Sequence, residues 1–172
     1  MTVYALGDQV PSIDPSAYVH PDAVVIGSVT IGANSSIWPG AVLRGDYGSI
    51  TIGARTSIQD GTVIHATESH ATTIGNDCVV GHNAHLEGCA VEDRVLIGSN
   101  SVVLHRVVVR SGALVGAGAV VPNDTVVPTG AMALGIPAKI KLDSAQPELI
   151  QHAVDLYVEN AQRYKTDLRP LT

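Results

Sequence analysis

The sequence has no phenylalanine and only one tryptophan and five tyrosines, although 45% of its 172 residues are hydrophobic. A core of that composition is filled by Val, Ile, Leu and Ala, so the interior has to be narrow. Basic residues are also scarce: ten Lys and Arg against sixteen Asp and Glu leave a net charge of −6. That balance argues against nucleic acid as a partner, because phosphate backbones are held by clustered Lys and Arg. No apolar run reaches the ~18 residues of a membrane span, and residues 1–9 lack the basic start and apolar stretch of a secretory signal. The expectation is a cytoplasmic protein with no membrane attachment. Cys78 and Cys89 are too few for a disulfide framework and read as small, reduced packing residues.

What the sequence does have is a period. Aliphatic residues recur every six positions at Ile13, Val19, Val25, Ile31, Ile37 and Leu43, and the phase resumes after three extra residues at Ile52, Ile58 and Ile64. After four more it returns at Ile74, Val80 and Leu86, and after a five-residue step at Val91, Ile97 and Val103; it then runs regularly through Val109, Val115, Val121, Val127 and Ala133. Six residues is neither the period of a simple strand nor that of a helix, so each hexad is a larger unit, one short strand and a corner. Three hexads make one coil of a triangular prism, coils stack ~4.8 Å apart, and the counted aliphatics fill a thin central column. Glycine follows that residue at Gly32, Gly53, Gly75, Gly81, Gly98 and Gly116, where it is expected to permit the corner. The expected architecture is an all-β parallel β-helix over residues 1–143. From Ser144 the period changes, with Ile150, Val154, Tyr157, Val158, Ala161 and Tyr164 on one stripe, so residues 144–172 form an amphipathic helix of about five turns and a tail.

Residues directly after the core aliphatic face outward. Arg44, His65 and Glu87 follow Leu43, Ile64 and Leu86, which share one corner of three successive coils, so their side chains form a column with steps of ~4.8 Å. Donor atoms of His65 and Glu87 in such a column can converge on one metal at ~2.0–2.2 Å. His82 falls on the adjoining face, so it completes a site only across a subunit boundary, which three prisms side by side would provide.

The segments SSIWPGAVLRGD (Ser35 to Asp46), IGARTSIQDGTVIH (Ile52 to His65) and IGNDCVVGHNAHLEGC (Ile74 to Cys89) resemble the gamma-class carbonic anhydrase family over nearly the whole chain. The resemblance implies a left-handed β-helix, a homotrimer, and a zinc ion, or iron or cobalt, at each of three interfaces. It also implies reversible hydration of carbon dioxide to bicarbonate by metal-bound hydroxide. In that family His65 and His82 match metal ligands, while Arg44, Asp46 and Gln59 match residues that organise the interface and the site. The family's usual third histidine is Glu87 here, and His85 is a histidine out of phase that reads as a corner or rim residue. A carboxylate ligand lowers the charge of the site and makes bound water less acidic.

Other residues receive expectations from their positions. Glu68 and His70 lie in the insertion beside the expected metal and are candidates to pass protons to solvent. Gln59 is a candidate to hydrogen-bond the nucleophile or to cap an interface. Arg44 and Asp46 are expected as an interface ion pair, and Trp38 as interface packing. His20, His105 and His152 belong to no constellation and read as surface residues. Two other functions stay open: a non-catalytic trimeric binding or assembly protein whose metal site has decayed, and a hexapeptide acyltransferase using an acyl-CoA.

Overall fold

A computed structural model describes residues 2–171. Its strands are mostly two or three residues long and stack almost entirely in parallel, coil upon coil, as the period requires. Registers join the counted aliphatics directly: Ile37 to Ile58 to Val80 to Ile97 on one face, and Leu43 to Ile64 to Leu86 to Val103 on another. All the counted positions enter one core; Ile13 and Val19 are partly buried against it and the rest are buried. A second set of small residues, two positions before the aliphatic, fills the corners beside it. Ala23, Ala41, Ala84, Ala113 and Ala119 belong to it, and so do Cys78 and Cys89. Burial pushes both thiols up to about 12, so they remain protonated.

The corners are made differently from expectation. None of the glycines directly after the aliphatic has a positive φ. Instead they touch the coil below: a Cβ on Gly53 would lie 2.5 Å from the Gly75 backbone, and one on Gly98 2.4 Å from the Ala117 nitrogen. Close stacking, not backbone freedom, requires them. The left-handed turn comes two residues later, at Asn34, Arg55, Asp77 and Arg94 in one stack and at Gly40, Gly61, Asn83, Asn100 and Gly118 in another. Asn and Asp tolerate that conformation. Each Arg there is held by coil-to-coil backbone bonds, Arg55 N–H to Ala33 O at 2.8 Å and Arg94 N–H to Asn76 O at 2.9 Å.

Two long strands, Val24–Ile31 and Val42–Ile52, run around one corner and join two faces into a single sheet. The slips in the hexad period all fall at this corner, in residues 44–51, 65–73 and 87–90. The third face carries the C-terminal helix, Pro147–Asp167, which buries Ile150, Val154 and Ala161. Tyr18 and Trp38 meet Tyr157 and Tyr164 edge-on beneath it, with centroid separations of 5.0–6.1 Å. Such aromatic pairs stabilise by about 0.5–1.5 kcal/mol beyond area burial. Arg55 ties the helix to the prism through Asp155 at 2.6 Å, and Lys165 Nζ donates to the Ser16 carbonyl at 2.5 Å. Trp38 is therefore not free for a neighbouring subunit: it is 5% exposed, its Nε1–H directed at Ser36 Oγ and Ser57 Oγ, both at 2.9 Å, and its own helix covers it.

Candidate functional site

The long-strand corner brings Arg44, His65 and Glu87 into one column, Arg44 opposite His65 and His65 opposite Glu87. His65 is held on both sides. Its Nδ1 lies 2.6 Å from Glu87 Oε1 and its Nε2 3.0 Å from Asp46 Oδ1, while the other Asp46 oxygen accepts from Arg44. Both ring nitrogens of His65 are engaged by carboxylates. The Arg44–Asp46 pair thus forms inside one chain. Hydrogen bonding from His65 holds the Glu87 carboxyl below its usual range. At Asp46 burial acts in the opposite direction, but hydrogen bonds from His65 and Arg44 outweigh it.

The backbone under this column is fixed by Thr72, which is fully buried. Its hydroxyl donates to the His65 carbonyl at 2.5 Å and accepts from the Gly88 N–H at 2.8 Å, so one side chain locks both coils. Gly88 has φ +59, and a Cβ there would meet His70 at 2.9 Å and His105 at 3.1 Å.

His82 stands apart. It lies at the corner before the strand of His85–Glu87, whereas His65 and Glu87 lie at the other corner of that face. Directly above it is Asp60, whose Oδ2 is 2.9 Å from His82 Nδ1. That contact engages Nδ1, and Nε2 makes no hydrogen bond among the described residues, the form in which a carboxylate-oriented histidine binds a metal. Gln59 neighbours Asp60 on the same corner, is 4% exposed, and shares no hydrogen bond with the His65 cluster among the described residues.

Glu68 is exposed at the tip of the insertion and makes no ion pair among the described residues. His70 turns back toward the column: its ring stacks on His105 with planes 7° apart and centroids 6.1 Å apart, and Ser69 Oγ lies 2.7 Å from its Nδ1. His105 is not the isolated surface residue expected. Its Nε2 is 3.2 Å from Glu87 Oε2, and His85 Nε2 is 3.7 Å from the same oxygen. The sequence expectation missed Asp60, Thr72 and His105. Asp60 was recoverable, since it occupies the His82 column one coil earlier; His105 was not, because the irregular corner shifts it one residue out of phase. Among the described residues, no three His, Cys, Asp or Glu side chains of one chain already form a group that could hold a metal ion.

Residues 11–45 and 71–105 match the family described as bacterial transferase hexapeptide (six repeats). Gamma carbonic anhydrase 1, mitochondrial, of Arabidopsis thaliana is 38% identical over 96% of this chain and 63% of its own length. The carnitine operon protein CaiE of Escherichia coli K12 is 36% identical over 87% of this chain and 76% of its own. The chain belongs to the hexapeptide-repeat family of the gamma carbonic anhydrases and CaiE. A solved structure described as a putative acetyltransferase from Bacillus cereus superposes with a TM-score of 0.93 at 31% identity, covering 96% of this chain and 97% of that one. The chain thus spans less than two thirds of the plant relative but nearly all of the bacterial structure. Family membership agrees with the repeat and the single C-terminal helix. Among the described residues, no helix is long and apolar enough to cross a membrane.

Proposed function

We propose that three copies of the chain assemble side by side and bind a divalent metal, zinc or else iron or cobalt, at each boundary, and that the site interconverts carbon dioxide and bicarbonate. His65 and Glu87 of one copy and His82 of the next would hold the ion. The observation that carries this reading is the division of labour between two corners: His82 is oriented by Asp60 with Nε2 free, while His65 and Glu87 are stacked in adjacent coils. Two imidazoles and a carboxylate suit a borderline divalent ion and leave an open position.

The ion would supply an acidified water and polarise carbon dioxide. The chain's residues do the rest. Asp60 selects the His82 tautomer, and Thr72 sets the height of His65. Asp46, backed by Arg44, receives the His65 N–H that does not face the metal. Gln59, on the His82 corner, would approach the reacting oxygen from the neighbour's side. Hydration adds that oxygen to carbon and releases one proton, which His70 or the exposed Glu68 would pass outward.

Metal analysis and stopped-flow carbon dioxide hydration on protein purified without chelator test the reading. It requires at least one metal ion per subunit, with loss of one ion per subunit and of hydration in His65→Ala and in His82→Ala. A metal-free wild type that neither takes up added zinc, iron or cobalt nor hydrates carbon dioxide overturns it.

The likeness to a putative acetyltransferase of Bacillus cereus, together with membership of a transferase hexapeptide family, favours one further reading, acyl transfer from a CoA thioester on the same scaffold. Calorimetric titration with CoA separates the two, since the metal reading requires no CoA binding.

A further inference from the structure

Glu87 has two faces, and only one of them is used by His65. Its Oε1 takes the His65 contact at 2.6 Å; its Oε2 looks the other way, toward His105 Nε2 at 3.2 Å and His85 Nε2 at 3.7 Å. The contact with His105 is short, yet His105 Nε2 is buried and makes no hydrogen bond, so the nitrogen stands beside a carboxylate off the line of an N–H···O bond. A buried nitrogen beside a carboxylate without an aligned hydrogen bond is incompletely satisfied, and a cation held between the two atoms would satisfy both. The ring cannot easily turn away. The His70 ring lies nearly parallel to it with centroids 6.1 Å apart, and Gly88 closes in from the backbone, where no side chain fits.

We propose that Glu87 Oε2, His85 Nε2 and His105 Nε2 form a second cation site within a single chain, one that takes a borderline divalent transition metal such as zinc or cobalt. Bonds of about 2.0–2.2 Å in tetrahedral geometry place neighbouring donors about 3.3–3.6 Å apart; the His105 separation of 3.2 Å falls just short of that range and the His85 separation of 3.7 Å just beyond it. His85 lies on the solvent side of its strand, and completing the shell requires its ring to swing inward, since no closed group that could hold a metal exists among the described residues. A mixed imidazole and carboxylate donor set favours zinc, cobalt or iron over calcium or magnesium. Partial exposure at His85 leaves the fourth position to solvent.

The site needs no second copy and does not depend on His82. With both sites filled, Glu87 bridges them, Oε1 toward the boundary and Oε2 toward the coil below.

Cobalt titration of the metal-free protein tests this, read by visible d–d absorption and by cobalt retained per subunit after desalting. Two cobalt ions per subunit are expected in the wild type. His105→Gln and His85→Gln should each weaken one of them at least about tenfold, while His82→Ala leaves that ion bound. Thermal melts of the metal-free variants monitor folding, and His85→Gln, at a half-buried position, carries the test if His105→Gln unfolds. An unchanged titration in His85→Gln overturns the second site. Loss of an ion in His82→Ala alone, with the other retained, supports it and reports separately on the boundary site.

Discussion

Thr72 shows how much a single buried hydroxyl can hold. It donates to the His65 carbonyl and accepts from the Gly88 N–H, so Thr72→Val keeps the volume but strands a carbonyl and an N–H in the interior. A cost of about 1–3 kcal/mol is expected, read as a lower denaturation midpoint with an unchanged urea m-value, and metal affinity should fall with it. The cysteines illustrate the opposite case, a reactive group made inert by its place in the repeat. Cys78 and Cys89 occupy the small-residue slot beside the core column, with thiols pushed up to about 12. Thiolate is the nucleophile, so native protein should resist alkylation by iodoacetamide and unfolded protein should label both residues quickly. Rapid labelling of the folded protein would contradict that placement.

At the scale of the element, the C-terminal helix completes the third face. Its amphipathic stripe was legible from Ile150 to Tyr164, but the surface it covers was not: Trp38 reads as an interface residue in the sequence and is the centre of the helix contact in the fold. Trp38→Ala should cost about 3–5 kcal/mol and loosen the helix before the coils. The helical circular-dichroism signal would then be lost at a lower temperature than the β signal. Simultaneous loss of both signals at the wild-type midpoint would show that the helix does not depend on that contact. The glycines after the core aliphatics make the same point about elements. Their positions were legible, and their reason, close backbone approach between coils, emerged only when coil lay on coil.

Over the whole molecule, carboxylates along the prism are held below their usual range by hydrogen bonds: Asp14 by Ser16, Glu87 by His65, Glu92 by Arg110 and Asp124 by Arg106. A carboxyl with a lowered folded pKa binds fewer protons than it does in the unfolded chain. Its stabilisation is therefore complete above the unfolded value and fades as pH falls through the folded one. For Asp and Glu, with ordinary values of 3.8 and 4.5, the window opens near those values and extends below them. Thermal melting of the metal-free protein should show a midpoint that declines from about pH 5 downward. A midpoint flat to about pH 3 would mean that these bonds do not survive in solution.

The hexad period by itself determined the prism, the contents of its core, the outward column of Arg44, His65 and Glu87, and the separate corner of His82. Those follow from spacing, because a solenoid places residues of equal phase one above another. Only the tertiary structure decided that Asp60 orients His82, that His105 and His85 turn toward Glu87, that Thr72 locks two coils and that Trp38 belongs to the helix. Each depends on side-chain direction or on the shape of a corner where the period slips, and a period specifies neither.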